Sequence, residues 1–296
     1  MKKSYRRPYP LCVKLGVRYE TAYRYSAPVN FSRHEIRLFP RSDVFTRILR
    51  QEFQTNDGAN IRFGRDVFDN CVAACSFSIP ARELRFHLEI DLELEERNPF
   101  DFLLAPEAVS LPFAYRPELR RVLAPFQDAN EKEPLRVPRW ERPTPKAPQP
   151  TVAALAGLNK TLHECIGYER REEGPPRPPS ETLRLGRGAC RDVALLLASL
   201  LRQLGLAARL TSGYLREGEE VESRRAEGSL HAWTEVYLPG AGWVGMDATN
   251  GIFSNHNFIA AAVGIEPADV TPIDGSYYPP QDRAAKMTSR LALVSL

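Results

Sequence analysis

The chain has 296 residues, of which 43% are hydrophobic and 26% are charged. This composition is close to that of an average folded globular protein, and it argues against an intrinsically disordered or fibrous chain. The formal net charge is only +3, and the basic residues are scattered apart from a short run at 2–7, which argues against a nucleic-acid partner.

Length, hydropathy and cysteine content narrow the class of protein further. The length predicts about two domains. No segment approaches the roughly 18 uninterrupted apolar residues of a membrane span, and the short apolar run after the basic residues is broken by Lys14, so we expect no export signal. Five cysteines at irregular spacing predict free thiols rather than a disulfide framework. We therefore expect a cytoplasmic protein with no membrane partner.

Strand patterns dominate the first half of the chain. Residues 17–25 are rich in tyrosine and valine, and residues 31–39 alternate between apolar and polar side chains. In 85–95 an apolar residue occupies every second position, at Phe86, Leu88, Ile90, Leu92 and Leu94. Such alternation is typical of half-buried antiparallel strands, and turn residues such as Asn56-Asp57-Gly58 separate the runs. Residues 1–133 are thus predicted to form an all-β, sandwich-like domain.

A proline-rich segment follows. Six prolines fall within 134–150, at Pro134, Pro138, Pro143, Pro145, Pro148 and Pro150. This density precludes a regular helix and favours an extended linker, so we place the domain boundary here. Residues 151–296 are then predicted to form an α+β catalytic core that opens with helical spacing over 152–168.

A candidate nucleophile stands at the start of the strongest predicted helix. After Gly186 and Gly188, Cys190 precedes an apolar stripe at Val193, Leu196, Leu197, Leu200, Leu201 and Leu204. This spacing predicts one helix face, and Gly205 is a suitable stop. At a helix start, free N–H groups and the helix dipole favour a thiolate and can hold an oxyanion. Considered alone, such a cysteine is also explained as a small core residue.

Two further candidates lie on a predicted hairpin. Residues 231–238 and 243–249 are predicted to form two strands, joined by the turn Pro239-Gly240-Ala241-Gly242. Antiparallel pairing brings His231 and Asp247 close together, so that the carboxylate reaches the imidazole Nδ1. A thiol needs a base, and the base needs a partner that fixes its tautomer. Each residue also has a structural alternative, because a lone strand histidine is commonly structural and Asp247 can start a turn.

The neighbouring Asp192 and several other residues are interpreted structurally. A carboxylate beside the sulfur opposes its ionisation, so we expect Asp192 to bond first-turn N–H groups or a nearby loop. His163 and Cys165 point to different helix faces and are not expected to bind metal. His256 is expected to position a loop. Trp233 and Trp243 are expected to pack beside the hairpin, and the acidic segment 217–222 to form a loop able to gate a cleft.

The sequence blocks around these candidates resemble the bacterial transglutaminase-like proteins. In order, the core blocks are Gly188-Ala189-Cys190-Arg191-Asp192, Ser212-Gly213-Tyr214-Leu215, His231-Ala232-Trp233-Thr234-Glu235-Val236-Tyr237 and Gly242-Trp243 to Asp247-Ala248-Thr249-Asn250-Gly251. The β-rich region often joined to this core is resembled by Tyr19-Glu20-Thr21-Ala22-Tyr23-Arg24-Tyr25 and Arg37-Leu38-Phe39-Pro40-Arg41. The likeness covers most of the chain.

The resemblance implies a papain-like α+β core in which the nucleophile's helix packs on an antiparallel sheet. It makes Cys190 the nucleophile, His231 the general base and acid, and Asp247 the orienting carboxylate. Ala248 departs from the proline that is usual after the aspartate. The oxyanion donor stays open: the Cys190 N–H is the main candidate and Tyr168 another. No organic cofactor or metal is inferred, and the calcium dependence of some relatives has no matching acidic cluster here.

Three functional readings follow. The first is a hydrolase of the cysteine peptidase or amidase type, acting on a protein or peptide. The second is a true transglutaminase, in which an amine resolves the same acyl-enzyme and forms an isopeptide bond. These two functions use the same catalytic residues. They differ in whether the cleft excludes water and admits an amine. The third is an inactive scaffold that binds a protein or peptide.

Overall fold

The computed structural model describes residues 11–129, 131, 133–171, 174–216, 230–278 and 286–296. The basic run at 2–7 and the acidic segment 217–222 lie outside this part of the chain. In the first half the elements are β1 (Cys12–Phe31), β2 (His34–Ile36), β3 (Thr46–Thr55), β4 (Asn60–Arg65), β5 (Cys71–Ser76), β6 (Ala81–Glu95), β7 (Ser110–Leu111) and α1 (Pro117–Leu123).

The second half alternates helices with strands. Its elements are β8 (Gln149–Pro150), α2 (Thr151–Cys165), β9 (Gly167–Tyr168), α3 (Pro179–Leu185), β10 (Arg187–Gly188), α4 (Cys190–Gln203), β11 (Ala208–Leu215), β12 (His231–Leu238), β13 (Gly242–Asp247), β14 (Ile252–Phe253), β15 (Phe258–Gly264), β16 (Ile273–Asp274), β17 (Tyr277–Tyr278) and β18 (Lys286–Ser295). Among the described residues, no helix combines the length and the apolar character needed to cross a bilayer.

The predicted β-sandwich is present. One antiparallel sheet has the order β17-β1-β6-β3, with β18 also paired to β1, and the second has the order β16-β2-β5-β4. The inner faces share one apolar core, to which β6 contributes alternate residues including Phe86 and Leu88. The other face of β6 is charged, and Asp91 pairs with Arg18 at 2.7 Å. The alternation of buried and solvent-facing side chains predicted for 85–95 is therefore confirmed.

The second sheet has the order β14-β13-β12-β11-β15 and is antiparallel throughout. Helix α4 packs against β12 and β11, and its predicted stripe lies in the core beneath them. The helix starts at Cys190 and is followed by Gly205 with a φ of 80°, as the sequence pattern predicts. This is the α+β core, a helix whose first residue stands beside a sheet.

The predicted core boundaries need correction at the carboxy-terminal end. Strand β18 pairs with β1 along ten residues, from Leu15 opposite Ser295 to Arg24 opposite Lys286. Strands β16 and β17 also pair with β2 and β1. The range 151–296 therefore does not fold as one unit, since its end completes the amino-terminal sandwich. Local sequence patterns identify a strand but do not say which distant strand it joins.

The interpretation of 134–150 as an extended tether is also wrong. Leu135 and Val137 are buried in the same core as α4, and Trp140 packs against that core. At its end, β8 pairs with β7. The prolines prevent a helix, as predicted, but the apolar residues between them still gain by burial. The segment is a packed strap on the α+β core.

The two cores meet at β11 and β15. Tyr214, Ile259 and Ala261 are buried with the sandwich residues, and the Tyr214 hydroxyl donates to the Leu38 carbonyl at 2.6 Å. Asn70 forms two 2.8 Å bonds with the main chain of Val263, one in each direction. The sandwich thus covers the edge strand β15, which would otherwise present unpaired backbone groups.

Candidate active site

Cys190 is the first residue of α4, and its position follows from the preceding backbone. Ala189 is the N-cap, with an extended φ of −76° and ψ of 167°, and its side chain provides no cap. The Ala189 N–H instead donates to the Asp192 carboxylate at 2.9 Å. First-turn N–H groups have no acceptor within the helix, so the sulfur stands where N–H groups and the helix dipole favour negative charge.

The role expected for Asp192 is confirmed. Its side chain is fully buried, and its second carboxylate oxygen accepts from the Arg171 guanidinium at 2.5 Å and from the Arg177 N–H at 2.8 Å. The carboxylate therefore ties the loop before α3 to the start of α4. Because Arg171 compensates its charge, Asp192 can stand two residues from the sulfur without strongly opposing a thiolate.

His231 and Asp247 meet across the β12–β13 hairpin. The ladder pairs Thr234 with Met246 and Leu238 with Gly242, which leaves His231 and Asp247 as diagonal neighbours on one face of the sheet. The His231 Nε2 and an Asp247 carboxylate oxygen are 2.9 Å apart, and both side chains are almost completely buried. The predicted ring–carboxylate contact is confirmed, but it uses Nε2 and not Nδ1.

The ring nitrogen that remains for the thiol is Nδ1. Nδ1 is buried, and within the described part of the chain no partner meets full hydrogen-bond geometry with it. The Cys190 thiol nevertheless interacts with the imidazole strongly enough that each shifts the other's pKa. The thiol and the ring therefore lie close enough to interact, and catalytic hydrogen bonds are often long or poorly aligned in unliganded active sites.

Opposing effects set the charges of this pair. Burial raises the pKa of the Cys190 thiol, but hydrogen bonds from the His231 ring and the Ala232 main chain outweigh it, and the net pKa is lowered. Burial lowers the pKa of the His231 imidazole, but Asp247 and Cys190 outweigh it, and the net pKa is raised. The arrangement therefore favours a thiolate beside an imidazolium, which is the reactive form of a thiol nucleophile.

Asp247 is held by the turn that follows it. One carboxylate oxygen accepts the Thr249 N–H at 2.9 Å, and the other accepts the Asn250 side-chain amide at 2.7 Å. Burial raises the pKa of this carboxyl group, but His231 and these donors outweigh it, so the net pKa is lowered. Asp247 thus both starts the turn, as its structural alternative proposed, and contacts the imidazole. Ala248 is buried in the core beside it.

Further residues support the pair, and among them Asn159 was not identified from the sequence. Trp233 stacks on the His231 ring with centroids 6.1 Å apart and planes at 21°. Asn159 on α2 donates to the Ile252 carbonyl at 3.1 Å, beside the strand end that carries Asp247. The Asn250 side-chain amide donates a hydrogen bond to the Asp247 carboxylate. The available signal for Asn159 was a polar residue among the apolar positions of a predicted helix, because a buried amide requires hydrogen-bond partners.

The remaining candidates occupy structural positions. The His163 Nδ1 lies 2.8 Å from the Thr249 carbonyl, so this histidine supports the turn behind Asp247. Trp243 packs on Tyr237 and carries the Arg209 guanidinium at 4.3 Å from its ring centroid, beside the hairpin as expected. All five cysteines are free thiols. Among the described residues, no cluster of three or more His, Cys, Asp or Glu side chains suited to a metal ion is found.

Comparison with known proteins agrees with this architecture. Residues 139–248 match the family model of the transglutaminase-like superfamily, and residues 15–93 match that of the bacterial transglutaminase-like N-terminal region. An uncharacterised protein of Mycobacterium leprae is 27% identical over 289 residues, covering 89% of this chain and 93% of its own. An uncharacterised protein of Mycobacterium tuberculosis is 26% identical, covering 88% and 87%.

A solved structure shares the fold across both halves. It is that of a proposed cysteine protease from Cytophaga hutchinsonii, which is 14% identical, has a TM-score of 0.66 and covers 97% of this chain and 91% of its own. The two family matches fall in the same order as the sandwich and the α+β core. The chain therefore contains a transglutaminase-like core within residues 139–248, preceded by the bacterial transglutaminase-like N-terminal region within residues 15–93.

Proposed function

We propose that the chain is a thiol-dependent acyl-transfer enzyme acting on amide bonds of a protein or peptide. Cys190 is the nucleophile, His231 the general base and acid, and Asp247 the residue that orients the imidazole. The observation that carries this proposal is the contact series from the thiol at a helix start to His231, and from His231 Nε2 to the Asp247 carboxylate at 2.9 Å. Nucleophile, base and orienter are the three parts that such chemistry needs.

The reaction follows from these positions. The Cys190 thiolate attacks the amide carbonyl carbon, and the carbonyl oxygen takes up the negative charge of a tetrahedral intermediate. The C–N bond then breaks while the His231 imidazolium gives its proton to the leaving amine. The neutral imidazole next takes a proton from water, whose hydroxide attacks the thioester. Collapse of that intermediate breaks the C–S bond, expels the Cys190 thiolate and releases the carboxylic acid. The imidazolium keeps the proton taken from water, so the starting pair is restored.

We favour hydrolysis over transfer to an amine. The solved neighbour from Cytophaga hutchinsonii is described as a proposed cysteine protease, and a protease uses the same acyl-enzyme with water as acceptor. Transamidation requires a cleft that excludes water and admits an amine. Hydrolysis and transamidation are therefore separate outcomes of one experiment, in which substrate is supplied with and without an amine.

The test is turnover of azocasein and of a library of peptidyl aminomethylcoumarins, with and without monodansylcadaverine as the acceptor amine. We expect release of peptide or coumarin, with little amine incorporated. Cys190→Ala and His231→Ala should each lower kcat by at least about 10³-fold, and the double variant should be no worse than either, because the residues act as a unit. Asp247→Asn should keep partial activity, since orientation contributes less than the nucleophile.

Cys165→Ala is the matched control, because Cys165 is also a half-buried free thiol at a helix end, and it should leave kcat unchanged. Turnover that persists in Cys190→Ala would exclude Cys190 as the nucleophile. Amine incorporation in place of hydrolysis would make the protein a transglutaminase. A wild-type protein that binds peptides and turns over none of them would favour the scaffold reading.

A further inference from the structure

Tyr168 is held beside the strand that leads to the nucleophile. Strands β9 and β10 run parallel, with Tyr168 directly paired to Gly188. The Gly167 N–H donates to the Gly186 carbonyl at 2.8 Å, and the Glu169 N–H donates to the Gly188 carbonyl at 2.9 Å. These two backbone hydrogen bonds flank Tyr168. They hold its main chain beside Gly188, which is two residues before Cys190.

The direction of the Tyr168 side chain follows from this pairing. Paired residues of neighbouring strands point their side chains to the same face of the sheet. A Cβ added to Gly188 would lie 2.9 Å from the Asp192 Cβ and 3.1 Å from the Thr182 methyl group, so this face looks onto the first turn of α4. The Asp192 and Thr182 side chains fill the space in front of Gly188. Tyr168, paired beside this glycine, therefore lies on the face of the strand pair that is turned toward the start of α4, where the charge of Cys190 acts on its phenol.

The phenol of Tyr168 is suited to donate a hydrogen bond there. Burial raises its pKa, and the negative charge of Cys190 raises it further, so the group stays protonated at neutral pH. Its side chain is partly exposed and can meet a substrate. The neighbouring Arg191 guanidinium is directed at the loop, since one of its terminal nitrogens donates to the Arg171 carbonyl at 2.7 Å.

We propose that Tyr168 is a catalytic residue whose hydroxyl, together with the Cys190 N–H, donates a hydrogen bond to the oxyanion of the tetrahedral intermediate. This inference rests on the proposed function. When the Cys190 thiolate attacks, the carbonyl π pair moves to oxygen, and the two donors stabilise the resulting charge. The electron pair returns to re-form the carbonyl double bond when the amine leaves. Removing one such donor typically costs about 10²–10³-fold in kcat.

Tyr168→Phe is the decisive variant, because it removes the hydroxyl and keeps the ring. For amide turnover we expect kcat to fall by about 10²–10³-fold with KM changed by less than about threefold. A second readout uses acetylglycinal, an aldehyde whose thiol adduct also develops an oxyanion. Its affinity, measured as protection of Cys190 from iodoacetamide, should weaken by a similar factor. Iodoacetamide alkylation itself forms no oxyanion, so its rate should be unchanged.

Tyr278→Phe is the matched control, since Tyr278 is 51% exposed on the sandwich, and it should change none of these readouts. The ratio of aldehyde affinity to alkylation rate is taken within one protein sample, so it corrects for partial misfolding of a variant. If the wild-type protein turns over no amide, the proposed function fails, while the aldehyde ratio still tests Tyr168.

Three outcomes would overturn this inference. The first is a Tyr168→Phe protein with wild-type kcat and aldehyde affinity, which leaves the Cys190 N–H as sufficient donor. The second is a loss of alkylation rate as large as the loss of turnover, because Tyr168 would then act on the thiol and not on the oxyanion. The third is a wild-type protein whose Cys190 is alkylated but gains no protection from the aldehyde.

Discussion

The charge state of Cys190 depends on a balance between burial and local donors. Burial penalises both the thiolate and the imidazolium, and the chain offsets this penalty by placing His231 between the sulfur and the Asp247 carboxylate. The pair is therefore ionised in the window between the lowered Cys190 pKa and the raised His231 pKa. Activity should fall as pH drops through the former and again as pH rises through the latter.

The first prediction concerns the thiol without any substrate. The rate of Cys190 alkylation by iodoacetamide should rise with pH around a midpoint below the value of about 8.5 for a free cysteine. His231→Ala should move this midpoint upward, because the imidazolium is lost while the burial remains. Peptide mapping after brief treatment at each pH measures the rate at each cysteine, and Cys190 should be labelled first at neutral pH.

Cys12 is the internal control, since it is an exposed free thiol on strand β1 of the sandwich. Its alkylation rate should not respond to His231→Ala. Alkylation of Cys12 before Cys190 at neutral pH would contradict the ion-pair description. So would a Cys190 midpoint that stays the same when His231 is replaced.

Helix α4 ends only a few residues before β11 begins, so the chain has to change direction sharply after its last turn. Gly205 carries this change of direction with a φ of 80°. Its N–H bonds back to the Arg202 carbonyl at 2.9 Å, and the Leu206 N–H bonds to the Leu201 carbonyl at 3.0 Å. A left-handed residue after the last turn satisfies helix carbonyls that otherwise lack a donor.

The second prediction is that Gly205→Ala lowers the free energy of unfolding by about 1 kcal/mol or slightly more, since alanine disfavours positive φ. No heavy atom lies within 4 Å of the added Cβ, so the loss comes from the backbone alone. Gly64→Ala is matched to it, because that Cβ also meets nothing within 4 Å and its φ is not positive. Urea denaturation should show no loss for Gly64→Ala, and equal effects at both positions would contradict this account.

The sandwich and the α+β core are joined by hydrogen bonds as well as by apolar contact. Asn70 is buried and bonds both the N–H and the carbonyl of Val263 on the edge strand β15. Its carbonyl oxygen also accepts from the Arg41 guanidinium at 2.8 Å. Tyr214 on β11 and Ile259 on β15 are also buried in the apolar core of the sandwich. We therefore expect the two halves to unfold together.

The third prediction tests this coupling. Asn70→Ala leaves two buried main-chain groups without a partner and should lower the free energy of unfolding by about 2–4 kcal/mol. Asn98→Ala is the control, because Asn98 is exposed and its side-chain oxygen accepts a local hydrogen bond from the Phe100 N–H. Urea denaturation followed by tryptophan fluorescence and by circular dichroism should give one coincident transition in the wild-type protein. Two separate transitions would mean that the halves unfold independently.

Most of the local structure was predictable because it depends on nearby residues. Alternate apolar positions in 85–95 gave the correct strand, and the stripe after Cys190 together with Gly205 gave the correct helix. The Pro239-Gly240-Ala241-Gly242 turn sets the hairpin register, and with it the approach of His231 to Asp247. These features follow from periodicities of two and 3.6 residues and from turn chemistry.

Other features depend on distant residues and appear only when the chain is folded. Among them are the pairing of β18 with β1, the packing of 134–150, and the pairing of Tyr168 with Gly188. The same holds for the contact of Asp247 with Nε2 in place of Nδ1 of His231. Spacing along the chain predicts that two groups meet, but three-dimensional packing determines which atoms face each other, because side-chain direction depends on every neighbour that fills the surrounding space.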